Sequence, residues 1–276
     1  MTTAAGSEEV PKDEETASRR QELVLLGTGT STGVPMVGCD CDVCRSPNPR
    51  NKRMRTGVAV HAPGGTFLID TSPELRLQLL REQIQIAHAV IFTHGHVDHL
   101  YGLDDTRLFP YRLGYPLPIY LEESTEATMR AAFSYAFRER PPEAQGWSIP
   151  QFDVRRIDEK PFELLGQTVQ PVRLLHGRMP VLGYRFTDVA FCTDVSTIPD
   201  ESWSKLEGLD VLILDTLRDK PHPTHFSIDQ ALEVVDRLKP KQTWLTHISH
   251  SLEHEATNAR LPANVQLAYD GLRVPF

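Results

Sequence analysis

The sequence predicts an α/β chain in which two β-sheets pack face to face with helices outside them, an αββα sandwich. Short apolar runs of strand length alternate with a few amphipathic stretches, and there are too many such runs for one sheet. The length of 276 residues suits one large domain that buries about three quarters of its unfolded surface. In chain order the predicted strands are Leu23–Leu26, Gly57–His61, Phe67–Ile69, Ala89–Thr93, Ile119–Leu121 and Val169–Leu175, followed by Gly183–Phe186, Val189–Cys192, Val211–Leu214, Thr243–Thr246 and Gln266–Ala268. Predicted helices are Glu74–Glu82, Thr125–Phe137, Ser227–Leu238 and Leu252–Ala259, the third opened by Ser227 as N-cap. Residues 1–20 hold one large aliphatic side chain, Val10, and no periodicity, which predicts a disordered tail before a domain over 21–276.

No apolar stretch is long enough to span a bilayer and the first residues lack the apolar core of a signal peptide, so a soluble cytoplasmic protein with no membrane partner is expected. A formal charge of -8 argues against a nonspecific nucleic-acid binder, whose affinity comes from Lys and Arg on phosphates. Arg45, Arg50, Lys52, Arg53 and Arg55 form a local basic segment that either faces an anionic substrate or is a solvated loop. No coiled-coil repeat or exposed apolar stripe stands out, and a homodimer is left open.

The chemistry is concentrated in His94-Gly95-His96-Val97-Asp98-His99, an HxHxDH run directly after the apolar strand Ala89–Thr93. Imidazoles and a carboxylate spaced this way, at a strand end, can converge on a pocket and hold divalent cations. A second cluster, Cys39-x-Cys41-x-x-Cys44, points to metal thiolates rather than disulfides in a chain without a secretion signal. A closed tetrahedral zinc site needs a fourth ligand; His250 is the candidate, although the cysteine spacing alone does not identify it. Cys192 reads as a small buried hydrophobe. Gly27 to Gly33 lacks the GK[ST] ending of a P-loop and reads as a tight turn. His61, His88 and His254 have no constellation around them, and His222, between prolines, reads as a loop residue.

HxHxDH, the isolated His176, Asp194 at a strand end and His247 after the apolar Leu245-Thr246 resemble, in order and spacing, the motifs of the metallo-β-lactamase superfamily. The opening Leu25-Leu26-Gly27-Thr28-Gly29-Thr30, the cysteine cluster and the ending Thr246-His247-Ile248-Ser249-His250 look more narrowly like the PhnP-type cyclic-phosphate phosphodiesterases of phosphonate breakdown. The resemblance covers the chain from about residue 22 onward. It implies a metallo-β-lactamase-like fold of two mixed sheets with outer helices.

It also implies two divalent ions, zinc or manganese: His94, His96 and His176 on one, Asp98, His99 and His247 on the other, and Asp194 bridging. Cys39, Cys41, Cys44 and His250 would hold one structural zinc. Asp98 counts with His225 as catalytic, and His225 matches a non-ligand histidine that stabilises the transition state and protonates the leaving group. Asp70 would orient ligands from behind. Such a pair lowers the pKa of bound water toward about 7 and leaves a net positive field for a small phosphate diester.

Two rivals stand beside this reading. The transfer-RNA 3′ processing nucleases share the ligand set and His254-Glu255-Ala256-Thr257 spells a string known in them, but it follows His247, in the wrong order. Only 17 residues separate His176 from Asp194, too few for the RNA-gripping arm of those enzymes, so no stable nucleic-acid partner is expected. The pyrroloquinoline quinone biosynthesis protein, a noncatalytic or accessory alternative, also has a CxCxxC cluster and a segment like Thr71-Ser72-Pro73, but departs from the full ligand set.

Overall fold

The computed structural model describes residues 21–138 and 148–276; the expected tail over 1–20 lies outside the described residues. The first sheet contains β1 (Glu22–Gly27), β2 (Gly57–Ala62), β3 (Gly65–Ile69), β4 (Ala89–Ile91), β5 (Leu117–Leu121) and β6 (Phe152–Arg156). The second contains β7 (Phe162–Leu164), β8 (Gln167–His176), β9 (Met179–Phe186), β10 (Val189–Cys192), β11 (Val211–Asp215), β12 (Gln242–Thr246) and β13 (Val265–Leu267). A last strand, β14 (Arg273–Pro275), returns to pair with β1, giving the orders β14-β1-β2-β3-β4-β5-β6 and β13-β12-β11-β10-β9-β8-β7. Each sheet is antiparallel in one half and parallel in the other: β3 to β6 run parallel in the first, β10 to β13 in the second.

Why the strands read as unbroken apolar runs is visible in their packing. Leu23, Leu25, Val58, Val60, Phe67 and Ile69 point between the sheets, where they meet Leu182, Tyr184, Phe186 and Phe191. The alternating residues Val24, Leu26, Ala59, Leu68 and Val90 point outward into a layer holding Leu75, Leu79 and Met129 of the helices Leu75–Arg81 and Glu123–Ala132. On the other sheet Leu212, Leu214 and Leu245 pack against Ala231, Val234, Val235 and Leu238 of the helix Ile228–Leu238. With both faces buried, the period-two alternation of a half-exposed strand disappears. Ser227 caps that last helix in a reciprocal capping box with Gln230.

The structure differs from the expected elements where the sequence signal is short or mixed. Strands β6, β7 and β14 read Phe-Asp-Val-Arg-Arg, Phe-Glu-Leu and Arg-Val-Pro, too charged or too brief to register as apolar runs. Thr125–Phe137 divides into the helix Glu123–Ala132 and a 3-10 turn over Ser134–Phe137, and Leu252–Ala259 contracts to His254–Asn258. Three short helices, Val97–Leu100, Leu103–Arg107 and Leu108–Leu113, follow HxHxDH. They carry an exposed apolar run that the sequence reading had not separated from the core, because Leu100, Leu103 and Phe109 of the same segment are buried. Val97, Tyr101, Leu108 and Tyr111 are each 48% exposed or more. Among the described residues no helix is long and apolar enough to cross a membrane.

Packing between the sheets sets a prediction. Phe67 is fully buried with its ring 5.8 Å from that of Phe186, so Phe67→Ala should cost about 3–5 kcal/mol in urea unfolding. Val97→Ala, at 55% exposure, should stay within about 0.5 kcal/mol. Equal costs at the two positions would contradict the layer assignment.

Candidate metal centre

Parallel strands deliver most of the candidate residues from their C-terminal ends, and His176 ends the antiparallel β8. Asp70 follows β3, the segment Phe92-Thr93-His94 follows β4, Asp194 lies two residues beyond β10, Asp215 ends β11 and His247 follows β12. Three of these turn sharply: Asp70, Asp194 and His247 have φ of 63°, 54° and 60°. A left-handed backbone is uncommon for residues with a Cβ and is held only where surrounding structure enforces it, as at binding and catalytic sites.

The turns bring the seven expected ligand side chains together, six of them buried and His96 exposed. The His94 ring lies 4.6 Å from His96, 4.3 Å from His99 and 5.8 Å from His176, and His96 lies 5.1 Å from His176. Asp98, His99, Asp194 and His247 present ligand atoms within 4.8 Å of one another, and so do His176, Asp194 and His225. Asp194 is common to both groups: its Oδ2 is 3.1 Å from His99 Nε2 and 3.3 Å from His247 Nδ1. Thr193 Oγ1 donates to the same oxygen over 2.7 Å.

Hydrogen bonds behind the rings decide which nitrogens face inward. His99 Nδ1 donates to Asp70 Oδ2 (2.7 Å), and Thr93 donates to the same carboxylate through its backbone N–H and its hydroxyl, each at 2.8 Å. Because the Thr93 hydroxyl is thus a donor, it accepts from His94 Nδ1 (2.9 Å). His176 Nδ1 donates to the carbonyl of Thr224 (2.7 Å). In each ring Nε2 is therefore the nitrogen that faces inward, the one through which histidine would bind metal. The Nε2 atom of His94 is buried without a hydrogen-bond partner, a costly arrangement that a cation would relieve, and that of His99 faces the Asp194 carboxylate. The nitrogen and carboxylate donor set fits divalent ions such as zinc or manganese.

Electrostatics agree with a cationic centre. Burial alone would raise the Asp194 carboxyl, yet the His247, His99 and His94 imidazoles hold it well below the usual carboxylate range. Burial pushes His94 well below 6.5, and His176 and His247 also fall, whereas at His99 burial is outweighed by Asp194, Asp70 and Asp98, which raise the imidazole well above 6.5. For His225 burial opposes the charged form, but Asp215 outweighs it and raises the imidazole. The His225 ring lies 4.6 Å from His176 and stacks 4.7 Å from His247.

The second cluster joins Cys39, Cys41 and Cys44, the last within the short helix Asp42–Arg45, to His250. Cys39, Cys41, Cys44 and His250 present ligand atoms within 4.8 Å of one another. His250 Nδ1 lies 3.4 Å from both Cys39 Sγ and Cys41 Sγ, near the sulfur-to-nitrogen edge of about 3.6 Å in a tetrahedral zinc site. The hydrogen bond from His250 is the largest influence drawing the Cys41 thiol down to about 6, so it ionises at neutral pH. Cys192 is elsewhere, fully buried, with its thiol pushed up to about 12 by burial.

Other expectations resolve differently. The basic segment does not converge on the centre: Arg45 pairs with Asp40, Arg55 with Glu74, Lys52 donates to the Cys44 carbonyl, and Arg50 stacks on Tyr269. Arg53 is buried, donating to Ser249 O (3.0 Å), Leu252 O (2.8 Å) and Asn51 Oδ1 (3.1 Å). His222 lies in a loop as expected, its ring 5.3 Å from His225. Asp215 ends β11, but no local motif in the sequence marks it. Thr56, whose Oγ1 lies 3.1 Å from His247 Nδ1, carried no signal in the sequence.

The model of the beta-lactamase superfamily domain matches residues 66–248. An octanoyltransferase of Porphyromonas gingivalis is 37% identical over 256 residues, covering 90% of this chain and 50% of that protein. A coenzyme PQQ synthesis protein B of Rhodopseudomonas palustris is 34% identical over 122 residues, covering 40% of this chain and 38% of that protein. The chain thus spans half or less of the length of these curated relatives. The crystal structure of a new diphosphatase from the PhnP family is 45% identical with a TM-score of 0.87, covering 94% of this chain and 98% of that one. Fold and family imply a hydrolase that binds divalent metal. From the motif order, the two mixed sheets and these matches, the chain belongs to the beta-lactamase superfamily, within its PhnP-like branch.

Proposed function

We propose that the chain is a phosphodiesterase that hydrolyses a small phosphate diester, cyclic or linear. The observation that carries this reading is the placement of His225, a histidine with its own carboxylate partner, against a floor of seven ligand-type side chains. His94, His96 and His176 would hold one divalent cation and Asp98, His99 and His247 the other, with Asp194 shared; zinc or manganese suits both. Cys39, Cys41, Cys44 and His250 would hold a structural zinc. When bound, the paired ions supply a water-derived nucleophile at neutral pH and offset charge on the phosphoryl group.

The chain's own residues do the rest. Asp70, through Thr93 and His99, fixes the ring planes of the ligand histidines, so little reorganisation accompanies reaction. His225, 9% exposed and favoured in its protonated form by Asp215, donates a proton to the departing oxygen from Nε2. A dedicated proton donor matters most for an alkoxide, a poor leaving group. Cleavage of a diphosphate, the second reading that the diphosphatase relative favours, releases phosphate and needs that proton less.

The rivals have weaker support. Between His176 and Asp194 the chain forms only β9, β10 and their turns, with no arm to grip RNA. Retention of all seven ligand-type positions speaks against an accessory role like that of the PQQ relative. An acyl-transfer role taken from the octanoyltransferase would need an accessible nucleophile. Cys192 is fully buried and the other cysteines sit together with His250.

Three outcomes test this. Metal-loaded protein should cleave bis(p-nitrophenyl) phosphate and lose that activity on chelation; cleavage of diphosphates without any diester turnover would favour the second reading. Asp194→Ala should abolish turnover, measured with the same diester at saturating metal; retained turnover would remove Asp194 from the centre. Cys41→Ser should lower zinc content and melting temperature, since structural zinc contributes folding energy, whereas Cys192→Ser should keep its zinc. Equal zinc in Cys41→Ser and the parent would refute the thiolate assignment.

A further inference from the structure

Asp215 belongs to none of the metal assignments above, yet it is fully buried at the end of β11, between the strands that deliver Asp194 and His247. A buried carboxylate needs donors, and three reach it. Its Oδ2 accepts from the backbone N–H of Val195 (3.2 Å) and of Phe226 (3.3 Å), the residues next to Asp194 and His225. His225 Nδ1 approaches both oxygens, at 3.1 Å and 3.3 Å. A carboxylate can only accept here, so Nδ1 carries the hydrogen and Nε2 is the nitrogen left for substrate. One side chain therefore fixes the His225 ring and also ties its loop to the Asp194 turn.

We propose that Asp215 is a positioning residue for His225: it holds the ring plane and the Nδ1–H form, so that Nε2 addresses the departing oxygen. The proposal rests on the reading of His225 as proton donor. The amide of Asp215→Asn can serve the two backbone N–H groups through its oxygen but turns an N–H toward His225 Nδ1, which forces the ring into the other tautomer or out of plane. The same logic orients the histidine of the serine-protease triad.

The test uses metal-loaded parent, Asp215→Asn, His225→Ala and the double variant on aryl phosphodiesters with a good (p-nitrophenolate) and a poor (phenolate) leaving group. Asp215→Asn should lower kcat by roughly 10-fold or more for the poor leaving group and much less for the good one, with KM and metal content unchanged. The double variant should be no slower than His225→Ala. Equal losses for both leaving groups, or losses that multiply in the double variant, would overturn the proposal. If His225→Ala alone shows no leaving-group dependence while the parent cleaves diesters, the proton-donor reading fails instead, and the Asp215 proposal with it. Ring-nitrogen NMR of the parent, which needs no variant to fold, should show a proton on His225 Nδ1; an unprotonated Nδ1 there would contradict the proposal.

Discussion

Asp194 places a carboxylate at 2% exposure, with His99 Nε2 and His247 Nδ1 within 3.3 Å of the same oxygen. A buried charge is tolerated only when opposite charge or strong donors surround it. That requirement organises the site: imidazoles from four other chain segments crowd around this one group, and the backbone at Asp194, Asp70 and His247 accepts left-handed geometry to aim them. In this account the strain is offset by what the turns assemble, a cluster of ligand atoms with lone pairs facing inward.

The fold makes that cluster rigid. His94, Asp194 and His247 follow the ends of parallel strands and His176 ends the antiparallel β8, and because these strands are packed on both faces the two sheets set where each ligand turn begins. The cysteine cluster is coupled to the same edge. His247 and His250 sit three positions apart on one loop, Ile248 exchanges backbone hydrogen bonds with Thr28 and Thr30, and Arg53 holds the carbonyls of Ser249 and Leu252. An ion at the thiolates would therefore restrain the loop that carries His247.

Much of this was legible in the chain itself. Apolar runs such as Leu23–Leu26 and Val211–Leu214 mark strands buried on both faces, and HxHxDH after Ala89–Thr93 announces chemistry at a strand end. His176, Asp194, His247 and His250 gain meaning only through family resemblance, because each stands alone in sequence and its partners are distant in the chain. Asp215 and Thr56 lay beyond reach for the same reason: their roles are contacts across neighbouring strand ends, and no local pattern encodes them. The edge strands and the broken helices after Val97 were missed because charge, brevity and Pro110 erase periodicity there.

Sharing of Asp194 between two ions is the claim on which the functional account turns. Electron paramagnetic resonance of the protein loaded with Mn(II) measures it directly, since two ions joined through one carboxylate couple magnetically. The account predicts an exchange-coupled multiline signal at full loading. Hyperfine patterns of isolated, uncoupled ions at the same loading would contradict it.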